Sequence, residues 1–368
     1  MVKKNPLPLP DLVLKHHSAD LYPLLDQWLS QKKVAPVQLM TGPAGVGKRE
    51  VVYFLSQWLL CQNNDLSDQD AENDLFGQPA TLSTDKDIHQ PCDKCSSCQK
   101  ALSGNWIDFC EIASDSEDSD SNSIKIDQLR ELRSSLGFAA YESRFKIVLI
   151  RDAEKMTVQA ANSLLKIMEE PPPGWMFFLT ASDPSLLLPT LVSRCQVLRL
   201  KPLPSEIIEE LIQQIDPKRA RISARLANGS WSKAISICDE VFWEKRSAVF
   251  RFLQNPASEL GALVDWAASD LKNLLLLIDH LEQVLEDLIN WTLNNEKEEP
   301  CQTLPFINED YANVLDTFAQ SSIAKMGSRE NLKAFLIERA ERIFRARSEI
   351  QAPLNKKIVV QDILLPWV

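Results

Sequence analysis

The sequence predicts an α/β domain built on a mostly parallel β-sheet, followed by a region that contains only helices. Three observations lead to this fold class. Four short apolar runs before residue 201 are bounded by polar or turn residues and separated by helix-like segments. A glycine-rich turn joins the first run to an amphipathic helix. After Leu200 the strand-like runs cease and amphipathic helical patterns follow, and a length of 368 residues suits two or three domains.

The composition is that of a folded protein with real hydrophobic cores. Hydrophobic residues make up 45% and charged residues 25% of the chain, which excludes wholesale disorder. The net charge is −11, so a wide DNA-binding surface is excluded and any nucleic-acid contact should be local or made through partners. No apolar stretch could span a membrane, and the N-terminal MVKKNPLPLP is no secretory signal. We therefore expect a cytoplasmic protein whose eight cysteines are not paired as disulfides.

The four apolar runs are the predicted strands, and they alternate with helices. They lie at Val37–Met40, Phe145–Ile150, Met176–Thr180 and Gln196–Leu200. Between the second and third lies MTVQAANSLLKIMEEPPP, in which apolar residues recur at helical spacing, Thr157 is the predicted N-cap and three prolines end the helix. Alternation of strands and helices implies a parallel sheet with helices on both faces.

The glycine-rich turn GPAGVGK is a candidate phosphate-binding loop. It follows the first predicted strand and opens a helix, so that backbone N–H groups, the helix dipole and a lysine could converge on phosphate oxygens. The residues predicted to do this are Gly42, Gly45, Gly47 and Lys48. The next position should be Ser or Thr, which would hold Mg²⁺, but it is Arg49, whose guanidinium cannot coordinate a cation.

A second arginine stands where another magnesium contact is expected. An Asp should end the strand Phe145–Ile150, but Arg151 comes there and Asp152 follows. We interpret the pocket as one that has lost hydrolysis; whether ATP or ADP still binds is open. In the alternative interpretation the register shifts by one residue. Asp152 and Glu154 would then bind the metal and activate the attacking water, and the chain would be an active P-loop ATPase.

The segment Cys92-Asp-Lys-Cys95-Ser-Ser-Cys98 predicts a structural zinc site. Two-residue spacing lets successive thiolates face one Zn²⁺, and a structural site needs four ligands. Cys61, which ends the helix after the glycine-rich loop, is the preferred fourth ligand; Cys110 and His89 are the alternatives. Cys195, Cys238 and Cys301 are isolated and are interpreted as packing residues.

Acidic stretches and helices make up the rest of the chain. The stretches Asn63–Pro91 and Ser114–Ser123 are predicted to be solvated loops. Pro202 and Pro204 mark a hinge, after which residues 205–240 form a small helical unit. Long amphipathic helices are predicted at Leu260–Asn290 and Ser328–Glu349, of the kind that pack on each other or on partner subunits.

Five motifs, in this order, resemble the clamp-loader branch of the AAA+ proteins. They are GPAGVGK, the cysteine cluster, ANSLLKIMEEPP, MFFLTAS and the triplet Ser193-Arg194-Cys195. The resemblance runs from residue 38 to 203 and continues weakly through LANGSWSKAI to LNKKIVVQDILL near the end. It implies a RecA-like AAA+ domain with a zinc module (1–201, zinc 61–98), a helical lid (202–242) and an all-helical collar for oligomerisation (243–368).

The resemblance also implies a role for single residues. Arg194 would be an arginine finger acting in trans at the ATP site of a neighbouring subunit, and Cys61, Cys92, Cys95 and Cys98 would form the zinc module. The family's ATP-hydrolysing members differ from this chain at Arg49, Arg151 and Ser232, all in its own pocket, while Arg194 is kept.

This asymmetry implies a non-hydrolysing scaffold subunit and not the tau/gamma motor. Its partners would be tau/gamma and delta subunits in a hetero-pentamer of the DNA polymerase III holoenzyme, which places a sliding clamp on primer–template DNA during replication. The remaining alternative, a zinc module that binds DNA directly, is disfavoured because residues 63–98 contain only Lys86 and Lys94 as basic residues.

Overall fold

The computed structural model describes residues 11–31, 33–63, 89–114, 123–135, 140, 144–294, 306–349 and 355–367. The chain divides into two compact units. The first contains the described residues up to Ile207 together with Ser230–Ser232, and the second contains Ile208–Gly229 and the described residues from Lys233 onward. Most of both predicted acidic loops, and Cys301 and Lys86, lie outside the described residues. Within the described part, no helix is long and apolar enough to cross a membrane.

The first unit is an α/β layer structure. Its strands are β1 (Val37–Thr41), β2 (Phe109–Ile112), β3 (Lys146–Ile150), β4 (Trp175–Ala181) and β5 (Gln196–Arg199). Its helices are α1 (Asp11–Gln31), α2 (Lys48–Leu60), α3 (Ser96–Leu102), α4 (Ile126–Ser135), α5 (Val158–Glu169) and α6 (Pro189–Val192). The strands form one parallel sheet in the order β2-β3-β4-β1-β5.

The sheet is buried on both faces, as expected for a parallel sheet between helices. All residues of β1 and β4 are buried. One apolar layer joins the sheet to α4 and α5 through residues such as Leu129 and Leu164, and the other joins it to α1 and α2 through residues such as Leu25 and Leu55. The predicted parallel sheet is confirmed, and it brings the carboxyl ends of β1, β2 and β3 to one edge.

The predicted strands and the central helix are confirmed with small shifts of boundary. Helix α5 begins as expected, because the Thr157 hydroxyl accepts a hydrogen bond from the Ala160 N–H at 3.2 Å. The one strand that we did not predict is β2, at the sheet edge. It has four residues, and of these Ile112 alone is buried, so its apolar pattern is too short to be recognised.

From residue 205 onward the described chain contains helices without strands. They are α7 (Ser205–Gln213), α8 (Ala220–Ala227), α9 (Trp231–Ile237), α10 (Glu240–Gln254), α11 (Pro256–Ser269), α12 (Leu271–Asn294), α13 (Ala312–Met326), α14 (Arg329–Glu349) and α15 (Lys356–Leu364). The single helix predicted at Leu260–Asn290 is wrong: Asp270 adopts an extended conformation (φ −145°, ψ 155°) that ends α11, and α12 begins at Leu271. The helix predicted at Ser328–Glu349 is confirmed as α14.

The second unit combines a large apolar core with one buried polar network. The Arg246 side chain is 2% exposed, and its guanidinium binds the Asp310 carboxylate and the Asn308 side-chain oxygen. Asp287 on α12 accepts hydrogen bonds from the backbone N–H groups of Ile307 and Asn308. These bonds compensate the burial of the charges and attach residues 307–310 to α10 and α12.

Candidate functional site

The glycine-rich loop lies between β1 and α2, where the sequence predicted it. Gly42 and Gly45 have positive φ angles of 146° and 76°. A Cβ atom at Gly42 would collide with the Leu200 carbonyl oxygen, and one at Gly45 with the Ser230 and Ser232 hydroxyls. Both positions therefore require glycine for their backbone conformation and for close approach of a neighbouring segment.

Hydrogen bonds close this loop on both sides. The Lys48 ammonium donates to the carbonyl oxygens of Gly42 (2.6 Å) and Pro43 (2.9 Å), and the residue is 9% exposed. Burial lowers the pKa of Lys48, although Glu154 and Asp152 counteract this. On the other side, the Gly45 carbonyl accepts the Trp231 N–H at 2.9 Å. The lysine expected to contact phosphate is therefore bonded to the loop's own backbone.

The two unexpected arginines bind one carboxylate. Arg49 donates to both oxygens of Glu111 in a bidentate pair, at 2.9 Å each. Arg151 donates to the same carboxylate at 3.3 Å, and the Tyr53 hydroxyl donates to it at 2.6 Å. Glu111 lies near the carboxyl end of β2 and its side chain is 20% exposed. We call Arg49, Arg151, Glu111 and Tyr53 the arginine cluster.

The pKa values in the arginine cluster follow from these contacts. Burial raises the pKa of the Glu111 carboxyl, but the hydrogen bonds from Arg49 and Tyr53 outweigh it and hold the pKa below its usual range. Burial and the carboxylate both raise the pKa of the Tyr53 hydroxyl. Two guanidinium groups and one carboxylate leave a net charge of about +1 beside the glycine-rich loop.

The carboxylates invoked by the alternative interpretation have other partners. Strand β3 ends at Ile150, so Arg151 is the first residue beyond it. Asp152 pairs with the Lys155 ammonium at 3.1 Å, and its backbone has φ 48°, which is unusual outside glycine. Glu154 accepts the backbone N–H of Ser182 at 2.9 Å and its hydroxyl at 2.6 Å. Each carboxylate is therefore already bonded to a neighbouring residue in this structure.

Arg194 lies just beyond α6, away from the contacts that form the arginine cluster. Its guanidinium donates to the Glu169 carboxylate at 2.9 Å and to the Thr190 carbonyl at 3.0 Å. The arginine side chain is 37% exposed and that of Glu169 is 53% exposed. The guanidinium is thus held at the surface and remains accessible.

Four cysteines come together at the junction of α2 and α3. The Cys61, Cys92, Cys95 and Cys98 sulfurs all lie within 4.8 Å of one another, and the Cys92 and Cys98 sulfurs are 4.0 Å apart. A tetrahedral Zn²⁺ with bonds of about 2.3 Å would need sulfurs about 3.8 Å apart. The cluster could therefore hold one metal ion and is compatible with structural zinc.

Backbone N–H groups point at the sulfurs of this cluster. The Cys95 N–H donates to the Cys92 sulfur at 3.4 Å, and the Cys98 N–H to the Cys95 sulfur at 3.5 Å. Burial raises the pKa of the Cys92 thiol, but the N–H groups of Lys94 and Cys95, together with the Cys61 and Cys95 side chains, outweigh it and lower the pKa to about 6. The Cys92 side chain therefore readily forms the thiolate that a metal ligand requires.

The alternatives for the fourth ligand lie elsewhere. Cys110 is on β2 and packs against the sheet core, where burial raises the pKa of its thiol. His89 stacks on Tyr22 and bonds to the Asp26 carboxylate at 2.8 Å. Cys195 also packs against the sheet core, and burial raises the pKa of its thiol to about 12, which agrees with a packing role.

Comparison with known proteins shows similarity to DNA polymerase III subunits. A family model described as "DNA polymerase III, delta subunit" matches residues 76–204. The delta' subunit of DNA polymerase III from Bacillus subtilis is 29% identical over 234 residues, covering 63% of this chain and 62% of the relative. The Escherichia coli delta' subunit is 30% identical over 212 residues, covering 57% and 56%. The chain is similar to delta' subunits of DNA polymerase III.

The similarity extends to a second kind of DNA polymerase III subunit. Escherichia coli subunit tau is 28% identical over 246 residues, which is 65% of this chain but 33% of tau. The chain thus spans a third of tau and about three fifths of the two delta' relatives. The segment matched by the family model includes three of the clustered cysteines, Arg151 and Arg194, and begins after the glycine-rich loop.

Sequence reasoning missed two members of the arginine cluster. Tyr53 could have been found, because it lies four residues after Arg49 and therefore on the same face of α2. Glu111 could not, because its role depends on an unpredicted strand that pairs with β3 and brings the carboxylate to both arginines. It is the residue that explains how two arginines can lie side by side in this protein.

Proposed function

We propose that this chain is a non-hydrolysing scaffold subunit of a DNA polymerase III clamp loader. In this proposal it assembles with tau/gamma and delta subunits into a hetero-pentamer that loads a sliding clamp on primed DNA. It would have no activity alone, and Arg194 would act in trans at a neighbour's ATP site. The observation that carries the proposal is the arginine cluster, in which both arginines at expected magnesium-ligand positions bind Glu111.

The arginine cluster opposes magnesium binding in two ways. Arg49 and Arg151 supply no oxygen ligand and repel a divalent cation, whereas Mg²⁺ needs oxygen ligands in near-octahedral geometry. The nearby Glu111 carboxylate already accepts hydrogen bonds from both arginines and from Tyr53. Together these contacts support a pocket that does not hydrolyse ATP.

Arg194 supports the second half of the proposal. Its guanidinium is accessible and keeps N–H donors beyond the two bonds that it makes. An arginine supplied in trans neutralises charge on the transferring phosphoryl group and contributes roughly 10³–10⁵ in rate. The proposed division into residues 1–201, 202–242 and 243–368 assigns Arg194 to the α/β domain and assembly to the helical collar.

The four clustered cysteines are proposed to hold a structural zinc ion. Cys61 ends α2 and Cys95 caps α3, so one ion bound by Cys61, Cys92, Cys95 and Cys98 would join the two helices. The zinc would act as a cross-link that stabilises this part of the fold. Among the described residues of the module (61–63 and 89–98), Lys94 is the only lysine or arginine, which gives the DNA-binding alternative little support.

The finger role is tested in a reconstituted clamp loader. We expect Arg194→Ala to lower hydrolysis at the neighbouring site by roughly 10³-fold or more, and clamp loading with it. The matched control is Arg130→Ala, which removes another exposed arginine of the same unit from its pair with Asp127. Clamp-loading turnover that is unchanged in the Arg194 variant would exclude the finger role.

The absence of self-contained hydrolysis is tested on the purified chain. With Mg²⁺ and ATP, we expect phosphate release no faster than in a Lys48→Ala variant, because the magnesium ligands are missing. Turnover at the rate of an ordinary AAA+ ATPase that disappears in Lys48→Ala would favour the active P-loop ATPase instead. The comparison between the two chains removes the contribution of contaminating ATPases.

A further inference from the structure

We infer that Glu169 is a positioning residue for Arg194, an inference that rests on the proposed function. Glu169 is the last residue of α5, and its carboxylate accepts a hydrogen bond from the Arg194 guanidinium at 2.9 Å. The second anchor of the guanidinium is the Thr190 carbonyl, at 3.0 Å. Two acceptors on different helices fix the plane of the guanidinium, whereas the carbonyl alone would leave it free to turn about one bond.

The place of Glu169 at a helix end points to the same role. A carboxylate in the last turn of a helix lies beside the negative end of the helix dipole, which disfavours it there. The adjacent Arg194 guanidinium compensates this charge through its hydrogen bond to the carboxylate. The pair is also partly exposed, so the remaining N–H donors of Arg194 can reach a group on another molecule.

A side chain that stabilises a transition state must be held in the correct orientation. A preorganised donor does not have to be reoriented when charge develops on the phosphoryl group, so its full interaction lowers the barrier. An arginine side chain without its anchor samples many rotamers, and the productive one becomes a minor population. Loss of Glu169 should therefore reduce kcat and leave KM for ATP unchanged, because the finger acts on the transition state and not on ATP binding.

Two variants separate orientation from charge. Glu169→Ala removes the acceptor, and we expect kcat of the reconstituted loader to fall about two- to fivefold, the range that an exposed ion pair supports. Glu169→Gln removes the charge but keeps an oxygen acceptor, so we expect it to restore most of the wild-type kcat. Glu170→Ala, at the adjacent position, is the matched control and should leave kcat unchanged.

A second measurement does not depend on the loader. In the isolated full chain, labelled at arginine for NMR, the side-chain N–H signal of Arg194 should show a lower order parameter in Glu169→Ala and a near-wild-type one in Glu169→Gln. An unchanged order parameter, or an unchanged or raised kcat in Glu169→Ala, would overturn the positioning role. If Arg194→Ala lowers kcat while Glu169→Ala does not, the finger role of Arg194 is retained and the inference about Glu169 fails. If Arg194→Ala leaves kcat unchanged, both the finger role and the inference about Glu169 fail.

Discussion

Removal of the Glu111 carboxylate should destabilise the α/β unit by a measurable and limited amount. In Glu111→Ala, the guanidinium groups of Arg49 and Arg151 lose their common partner and repel each other. Hydrogen bonds to a charged group contribute about 1.5–3 kcal/mol to stability. Breaking a buried ion pair costs about 3–5 kcal/mol, whereas an exposed ion pair contributes about 1 kcal/mol at most. Glu111 is 20% exposed but Arg151 is 35% exposed, so we expect an intermediate loss of about 2–3 kcal/mol.

Thermal unfolding of the full chain can measure this loss. For a unit of this size, 1 kcal/mol lowers the midpoint by about 2–4 °C, so the transition of the α/β unit should move down by about 4–12 °C. The matched control is Asp127→Ala, which also takes a carboxylate from an arginine, in the exposed pair with Arg130. That variant should lose about 0.2–1 kcal/mol.

Two outcomes would contradict the reasoning about Glu111. A shift no larger than that of Asp127→Ala would mean that the arginine cluster behaves as an ordinary surface pair, and that solvent already screens both guanidinium groups. A Glu111→Gln variant that is as stable as the wild type would mean that shape and not charge matters, because Gln fills the same volume. We expect Gln to lie between the wild type and Ala, since its amide oxygen accepts one neutral hydrogen bond.

Two further predictions concern pH and metal. The folded-state pKa of Glu111 lies below its unfolded value, so its contribution to the stability of the fold should be complete above the unfolded pKa of about 4.3 and disappear as the pH falls through the folded pKa. The difference in stability between the wild type and Glu111→Gln should therefore be constant near neutral pH and shrink in acid. A difference that grows in acid would refute the assignment. The purified chain should contain one zinc per molecule by elemental analysis. Cys61→Ser should lower this zinc content and destabilise the fold, whereas Cys110→Ser should do neither. The reverse result would make Cys110 the fourth ligand.

The predictable parts of the fold are those whose signal is local. Strands β1 and β4 are buried on both faces, so they occur in the sequence as continuous apolar runs, and helix α5 carries its cap at Thr157. The break at Asp270 escaped prediction because a polar residue is compatible with an exposed position of one long amphipathic helix. Only the packing of α11 and α12 decides that the chain leaves helical geometry there.

The candidate site also contains features that the sequence alone predicts and features that depend on the fold. The glycine-rich loop and the spacing of Cys92, Cys95 and Cys98 are short motifs, and each can be recognised without knowledge of the fold. The approach of Cys61 across a long stretch of sequence, and that of Glu111 to two arginines, depend on tertiary structure. Under the proposed function, the sequence indicates which magnesium ligands are missing, but it does not show which residue compensates the two arginine charges.

Under the proposed function, this compensation makes the replacement of the magnesium ligands hard to reverse. A variant with Thr at position 49 and Asp at position 151 would regain two metal ligands, but it would leave Glu111 half-buried without a cationic partner and close to where phosphates would bind. That carboxylate would be costly to keep ionised and would repel the phosphate charge. Lys48 would still be bonded to the carbonyls of Gly42 and Pro43. The two arginines and Glu111 therefore form one unit, whose members must change together if the pocket is to bind a magnesium nucleotide.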